Sequence, residues 1–185
     1  MIDVNQLRRG VNFVHDEALF KVTEYSHSKP GRGKATIKVN VRNLRTGANV
    51  VLSFTSGDRV QDVRLDKRGV QYLYDDGMFY VFMDTETFEQ YQIRHETVGD
   101  DKVFLRENMD MELLFFEQEV LDYMLPQSLE FEVVEAENAV AGDTATGATK
   151  EVITETGLKV KTPLFVNIGD RIKVNTETGE YITRV

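Results

Sequence analysis

The chain has 185 residues, is 41% hydrophobic and 29% charged, and contains no cysteine, which excludes disulfides, thiolate metal sites and cysteine nucleophiles. This is ordinary globular usage, so disorder, collagen-like repetition and coiled coil are excluded as well, and apolar runs of about four or five residues fall far short of the roughly 20 that a membrane-crossing helix needs. The net charge of −9 argues against a nucleic-acid partner until its distribution is examined. Residues 1–63 hold 10 basic and 6 acidic side chains, residues 64–126 hold 6 and 15, and residues 127–185 hold 6 and 10. One basic third is joined to two acidic ones, as expected where a single end faces a polyanion.

Alternation dominates the chain, and helical periodicity is scarce. Met1-Ile2-Asp3 opens it without the basic-then-apolar pattern of an export signal, so a cytoplasmic protein with no membrane partner is expected. Phe20 to Tyr25 reads as a strand, and Ala35, Ile37, Val39 and Val41 alternate with polar residues to form a second. Thr46-Gly47 and Ser56-Gly57-Asp58 mark turns, and a first boundary falls near Val63. An aromatic hairpin, Tyr72 to Met83, follows with Asp75-Asp76-Gly77 at its turn, and Thr85 to Gln90 reads as a short helical turn. Asp100-Asp101 marks another turn. The run Met109 to Leu125 ends at Pro126, the second boundary, after which Phe131 and Val133, then Ile172 and Val174, alternate as strands around a long loop from Glu135 to Lys150, and Thr178-Gly179 marks a last turn. The expected fold is therefore all-β, with small barrels or sandwiches over residues 1–63, 64–126 and 127–185.

The inventory for catalysis is thin. His15, His27 and His95 are scattered, none at metal-ligand spacing, so no catalytic residue, metal or cofactor is expected. Gly31-Arg32-Gly33-Lys34 fails as a phosphate loop, because one residue rather than four separates the glycines and Ala35 follows the lysine. The same segment is nonetheless the most informative in the chain. Lys29, Arg32 and Lys34 share one tip, and Pro30, Gly31 and Gly33 shape a tight turn that lets the backbone approach a partner while Arg32 projects. Arms standing five residues clear of a barrel carry Arg32 about 15–20 Å outward, a shape suited to an RNA crevice. A solvated turn whose charges deter edge pairing accounts for the composition about equally well.

Four stretches carry a family resemblance: Ser28-Lys29-Pro30-Gly31-Arg32-Gly33, Tyr72 to Gly77, Phe82 to Gln90, and Ile168 to Thr176 continuing through Thr178-Gly179-Glu180-Tyr181. In this order and at this length the sequence resembles the bacterial translation elongation factor P family along its whole extent. The resemblance implies an N-terminal SH3-like (KOW-like) barrel followed by two OB-fold barrels in an L shape that mimics a transfer RNA. It implies a monomeric, non-enzymatic factor that binds the ribosome between the P and E sites and relieves stalling at consecutive prolines. Its partners would be peptidyl-tRNA, initiator tRNA, ribosomal RNA and ribosomal proteins. Residue by residue, the tip that reaches the CCA end falls on Arg32, presented by Lys29, Pro30, Gly31, Gly33 and Lys34. Gly142, Asp143 and Thr144 match the loop that approaches the E-site codon, and Tyr181 and Arg184 match positions in contact with tRNA and ribosome.

The sequence also departs from the family pattern. Many members carry a modified lysine at the tip and some a rhamnosylated arginine, so Arg32 is the candidate modification site and an arginine-modifying enzyme a candidate partner. Glu151 and Val152 stand where Pro-Ala is usual after lysine, Thr162 where valine is usual, and Gln127 where a second proline is common. The alternatives are an elongation factor P-like paralogue, which Lys29-Pro30-Gly31 disfavours, and an OB-fold binder of single-stranded nucleic acid. The latter needs exposed aromatics in a basic groove, whereas Phe115 and Phe116 lie in the acidic segment and one at least should be core.

Overall fold

The computed structural model describes residues 1–28, 35–138 and 147–185. Their regular structure is almost entirely antiparallel strand. In the first sheet β1 (Ile2–Asp3), β2 (Asn12–His15), β3 (Ala18–Ser28), β4 (Thr36–Asn43), β5 (Asn49–Thr55) and β6 (Arg59–Val63) lie in the order β1-β6-β2-β3-β4-β5. The second combines β7 (Asp66–Asp75), β8 (Phe79–Asp84), β9 (Gln90–Arg94), β10 (Asp110–Phe116) and β11 (Glu119–Met124) as β11-β10-β7-β8-β9. The third sets β12 (Ser128–Ala136), β13 (Thr149–Thr154), β14 (Lys159–Pro163), β15 (Arg171–Asn175) and β16 (Tyr181–Arg184) in the order β14-β13-β12-β15-β16. By internal contacts the chain divides into two compact units, residues 1–68 with 113–122 and residues 69–112 with 123–185. Among the described residues no helix is long and apolar enough to cross a membrane.

Alternation decides which face each strand buries. Along β4, Ile37, Val39 and Val41 are wholly buried while Lys38 is exposed, and they join Phe13, Phe20 and Phe54 in the core of the first unit. Each such side chain contributes about 1.5–3 kcal/mol by leaving water. Leu19, Leu44 and Leu121 form a second, smaller cluster in the same unit, beside an ion pair of 2.6 Å between Lys21 and the buried Asp122. In the other unit, Phe131 and Val133 of β12 meet Val152, Val160, Ile172 and Val174. Phe115 is fully buried and Phe116 packs on the Leu19 cluster, so neither offers the exposed stacking surface that a single-strand binder needs.

One turn design recurs in all three sheets. Asn43 Oδ1 accepts from the N–H groups of Arg45 and Thr46 at 2.9 and 3.0 Å, and Gly47 at φ 75° returns an N–H to the Asn43 carbonyl. Asn175 repeats this with Glu177, Thr178 and Gly179 at φ 73°. Between β8 and β9 Asp84 Oδ1 accepts in the same way from the N–H groups of Glu86 and Thr87, and Phe88, at φ 60° in the glycine's place, donates its N–H to the Asp84 carbonyl. This corrects the helical reading of residues 85–90: Asp84 organises a hairpin turn and Gln90 already belongs to β9. The short helix lies further on, as α1 (His95–Val98), and continues into a 3-10 turn at Gly99–Phe104.

Candidate nucleic-acid interface

The expected tip residues Lys29, Pro30, Gly31, Arg32, Gly33 and Lys34 lie outside the described residues, and so do Gly142, Asp143 and Thr144. What is described is the base that holds the first group. β3 and β4 pair antiparallel from Phe20↔Asn43 to Ser28↔Thr36, so the two strands stay paired up to the last described residue of β3. One extra residue, Thr23, interrupts the ladder between Val22 and Glu24, and its Oγ1 donates to the Asn40 carbonyl at 2.9 Å. Such a bulge strengthens the local twist and re-aims the strand beyond it. Tyr25 packs on the core and carries the Arg8 guanidinium 5.0 Å from its ring centre, while Asn40 Nδ2 donates to Glu24 at 2.8 Å.

The arms are less free than the sequence suggests. β5 accompanies β4 to its first residue, with Thr36 opposite Thr55, and the Ser56 N–H bonds the Ala35 carbonyl at 2.9 Å. The expectation of arms five residues clear of the sheet is therefore corrected: the β4 arm is an interior strand, because Ile37 needs cover from Phe54 on the neighbouring strand. On the other side, β2 covers β3 only from Ala18 to Lys21.

The C-terminal candidates are described in full. Tyr181 stands opposite Val174 and packs against the third-sheet core. It also lines a groove of about 520 Å³ with Lys159, Lys161, Thr162, Pro163 and Glu180. Arg184 stands opposite Ile172, with its guanidinium 5.1 Å from the Phe165 ring centre and 3.5 Å from Asp170 Oδ2. Tyr181 and Arg184 thus belong to separate side-chain sets. Of the departures from the family pattern, Val152 is core, Glu151 reaches Lys159 at 3.4 Å, and Thr162 is fully buried with its hydroxyl unpartnered among the described residues. Sequence reasoning missed Lys159, Lys161 and Phe165. The alternation Lys159-Val160-Lys161-Thr162 was the signal for the two lysines, since it sets them on one face of β14.

The histidines occupy structural settings where they are described. His95 Nε2 lies 2.7 Å from Asp75 Oδ1, and the Gly77 N–H, seconded by His95, holds the Asp75 carboxyl below its usual range. His15 lies edge-on to Phe54 and 3.4 Å from Asp16.

Three family models match successive stretches: the elongation factor P KOW-like domain over residues 3–60, the elongation factor P OB domain over 65–123, and the elongation factor P C-terminal domain over 129–184. The chain is 44% identical over its whole length to elongation factor P of Syntrophomonas wolfei and 44% identical to that of Symbiobacterium thermophilum, in each case covering all of both chains. A solved structure of eukaryotic translation initiation factor 5A from Methanococcus jannaschii superposes with a TM-score of 0.50 at 21% identity, covering 66% of this chain and 88% of that one, which speaks to fold alone. A chain matched end to end at this identity, by all three domain models in sequence order, belongs to the elongation factor P family of translation elongation factors.

Proposed function

We propose that this translation elongation factor binds the ribosome between the P and E sites, beside peptidyl-tRNA, and speeds peptide-bond formation where consecutive prolines stall it. The observation that supports this most is the β3–β4 pair, whose intervening sequence Lys29 to Lys34 carries three cations in the basic third of the chain. Proline is a constrained nucleophile, and holding the P-site tRNA in a productive geometry lowers the entropic part of the barrier, so the factor needs no catalytic group of its own. In this reading the ribosome supplies the chemistry. Arg32 addresses the acceptor end of peptidyl-tRNA or initiator tRNA, Gly142, Asp143 and Thr144 approach the E-site codon, and Tyr181 and Arg184 contact tRNA. The protein works as a cytoplasmic monomer of three barrels, bounded near residues 63 and 126. Three successive sheets and three successive family models favour that division.

Purified translation tests the reading. Arg32→Ala is expected to slow synthesis through consecutive prolines at least several-fold while leaving proline-free messages and the melting temperature unchanged, since in this reading Arg32 stands in a projecting turn, where a cation contributes little to stability. Equal rates for wild type and Arg32→Ala on the proline-rich message would remove Arg32 from the mechanism. Intact mass of the native protein decides modification: the bare chain mass indicates a free guanidinium, and an added deoxyhexose indicates rhamnosylation.

A further inference from the structure

The groove beside Tyr181 carries features that a tyrosine contact alone does not require. Lys159 and Lys161 are exposed on one face of β14, two residues apart and so roughly 6.5–7 Å along the strand. Lys161 has no ion-pair partner among the described residues. Lys159 has one, Glu151 at 3.4 Å, but the lysine side chain is 67% exposed and that of Glu151 40%, and a pair so open to solvent is weak and easily exchanged. Across the groove stand Tyr181 and Glu180, immediately after the Asn175 turn that fixes their position. At its lining, Thr162 is wholly buried and its hydroxyl lacks a partner among the described residues. Thr162 alternates with the two lysines along β14 and so turns its side chain to the core side with Val160, leaving Lys159 and Lys161 on the open face.

Resting on the reading that the chain acts on ribosome-bound RNA, we propose that this groove seats a short stretch of RNA, its phosphates on Lys161 and Lys159 and one base against Tyr181. The chemistry divides the groove in two. The lysine side suits a polyanion, and both ammonium groups reach one continuous run of backbone. The tyrosine side offers a ring face for stacking, and Glu180 next to it is an acceptor suited to the amino or imino hydrogens of a base while repelling phosphate. The groove therefore orients a strand, with backbone toward β14 and base toward β16. Glu151 restrains this site by holding Lys159 until phosphate competes for it.

Binding of the full chain to ribosomes carrying P-site tRNA, measured across a salt series, tests the assignment. Lys161→Ala is expected to weaken binding about three- to tenfold at low salt and to reduce the slope of log affinity against log salt by about one, as loss of one phosphate contact requires. Lys161→Arg restores both, and Glu151→Ala tightens binding by freeing Lys159. Lys102→Ala, the same charge change on an exposed residue away from the groove, leaves affinity and slope as in wild type. The assignment is overturned if Lys161→Ala and Lys102→Ala behave alike. It is equally overturned if Lys161→Ala weakens binding with no change in salt slope, which marks a protein contact instead. Failure of the wild-type chain to bind ribosomes defeats the functional reading itself, a result distinct from either.

Discussion

The turn between β8 and β9 and the turns after β4 and β15 share one hydrogen-bond plan but differ at two positions. Asp84 replaces Asn43 and Asn175 as the acceptor, and Phe88 replaces Gly47 and Gly179 at positive φ. A threonine stands before that residue in each case, and its Oγ1 accepts from the N–H two residues on, at 3.3 to 3.4 Å. The side-chain acceptor and the threonine are thus the invariant parts of the device. Glycine is an accommodation to the left-handed backbone, not its cause. In the middle sheet the acceptor is also buried, at 4% exposure, so more depends on it there.

The largest test of that comparison removes the buried acceptor. Asp84→Ala leaves the Glu86 and Thr87 N–H groups without their partner and is expected to destabilise the protein by about 2 kcal/mol, read as a lower urea midpoint at unchanged slope. Asp84→Asn keeps the Oδ1 acceptor that Asn43 and Asn175 already use, and should stay within about 1 kcal/mol of wild type. If the two variants lose equal stability, the negative charge matters rather than the acceptor, and the three turns are not equivalent.

A smaller effect separates backbone strain from packing. A Cβ built on Gly179 meets no atom within 4 Å, so Gly179→Ala meets no steric obstacle and its cost comes from φ alone. About 1 kcal/mol of destabilisation is expected. The same change at Gly47, equally open, should give the same value within a few tenths. A disparity between the two would show that the surrounding sheet, not the turn, sets the tolerance.

These turns also show how far the sequence could be read. The two glycine-containing turns were visible as Thr46-Gly47 and Thr178-Gly179, because glycine announces positive φ. The third reads as a helical turn for a physical reason. An Asp whose carboxylate accepts from the N–H groups two and three residues later is both the start of a helix and the start of this turn. Only the left-handed backbone at Phe88 decides between them, and a phenylalanine gives no sign of it. The helix at His95–Val98 leaves no mark in the sequence because its four residues bury only Val98, too few for any period to show. Alternation did reveal the strands whose inward residues build the cores, Ile37, Val39 and Val41 above all. At the candidate site the two lysines of β14 were legible in principle. The groove was not, since Lys161 and Tyr181 are 20 residues apart and meet only through the order β14-β13-β12-β15-β16.

The smallest expected effect has the opposite sign and is the sharpest test of the turn comparison. At φ 60° a residue with a Cβ is disfavoured by about 1–2 kcal/mol, and Phe88→Gly removes that strain. Glycine gives back roughly 0.5–1 kcal/mol through the greater freedom of the unfolded chain. The ring is 69% exposed, so its loss uncovers little apolar surface. The balance is a gain of about 0.5 kcal/mol for Phe88→Gly, whereas Phe88→Ala keeps the Cβ and should not gain. Chemical denaturation of the pair settles the sign. Equal stability of the two variants would mean that Phe88 sits in its left-handed position without strain. A clear loss in both would mean that the ring contributes contacts to the folded state, and the middle turn would then differ from its two counterparts in packing and not only in its choice of residue.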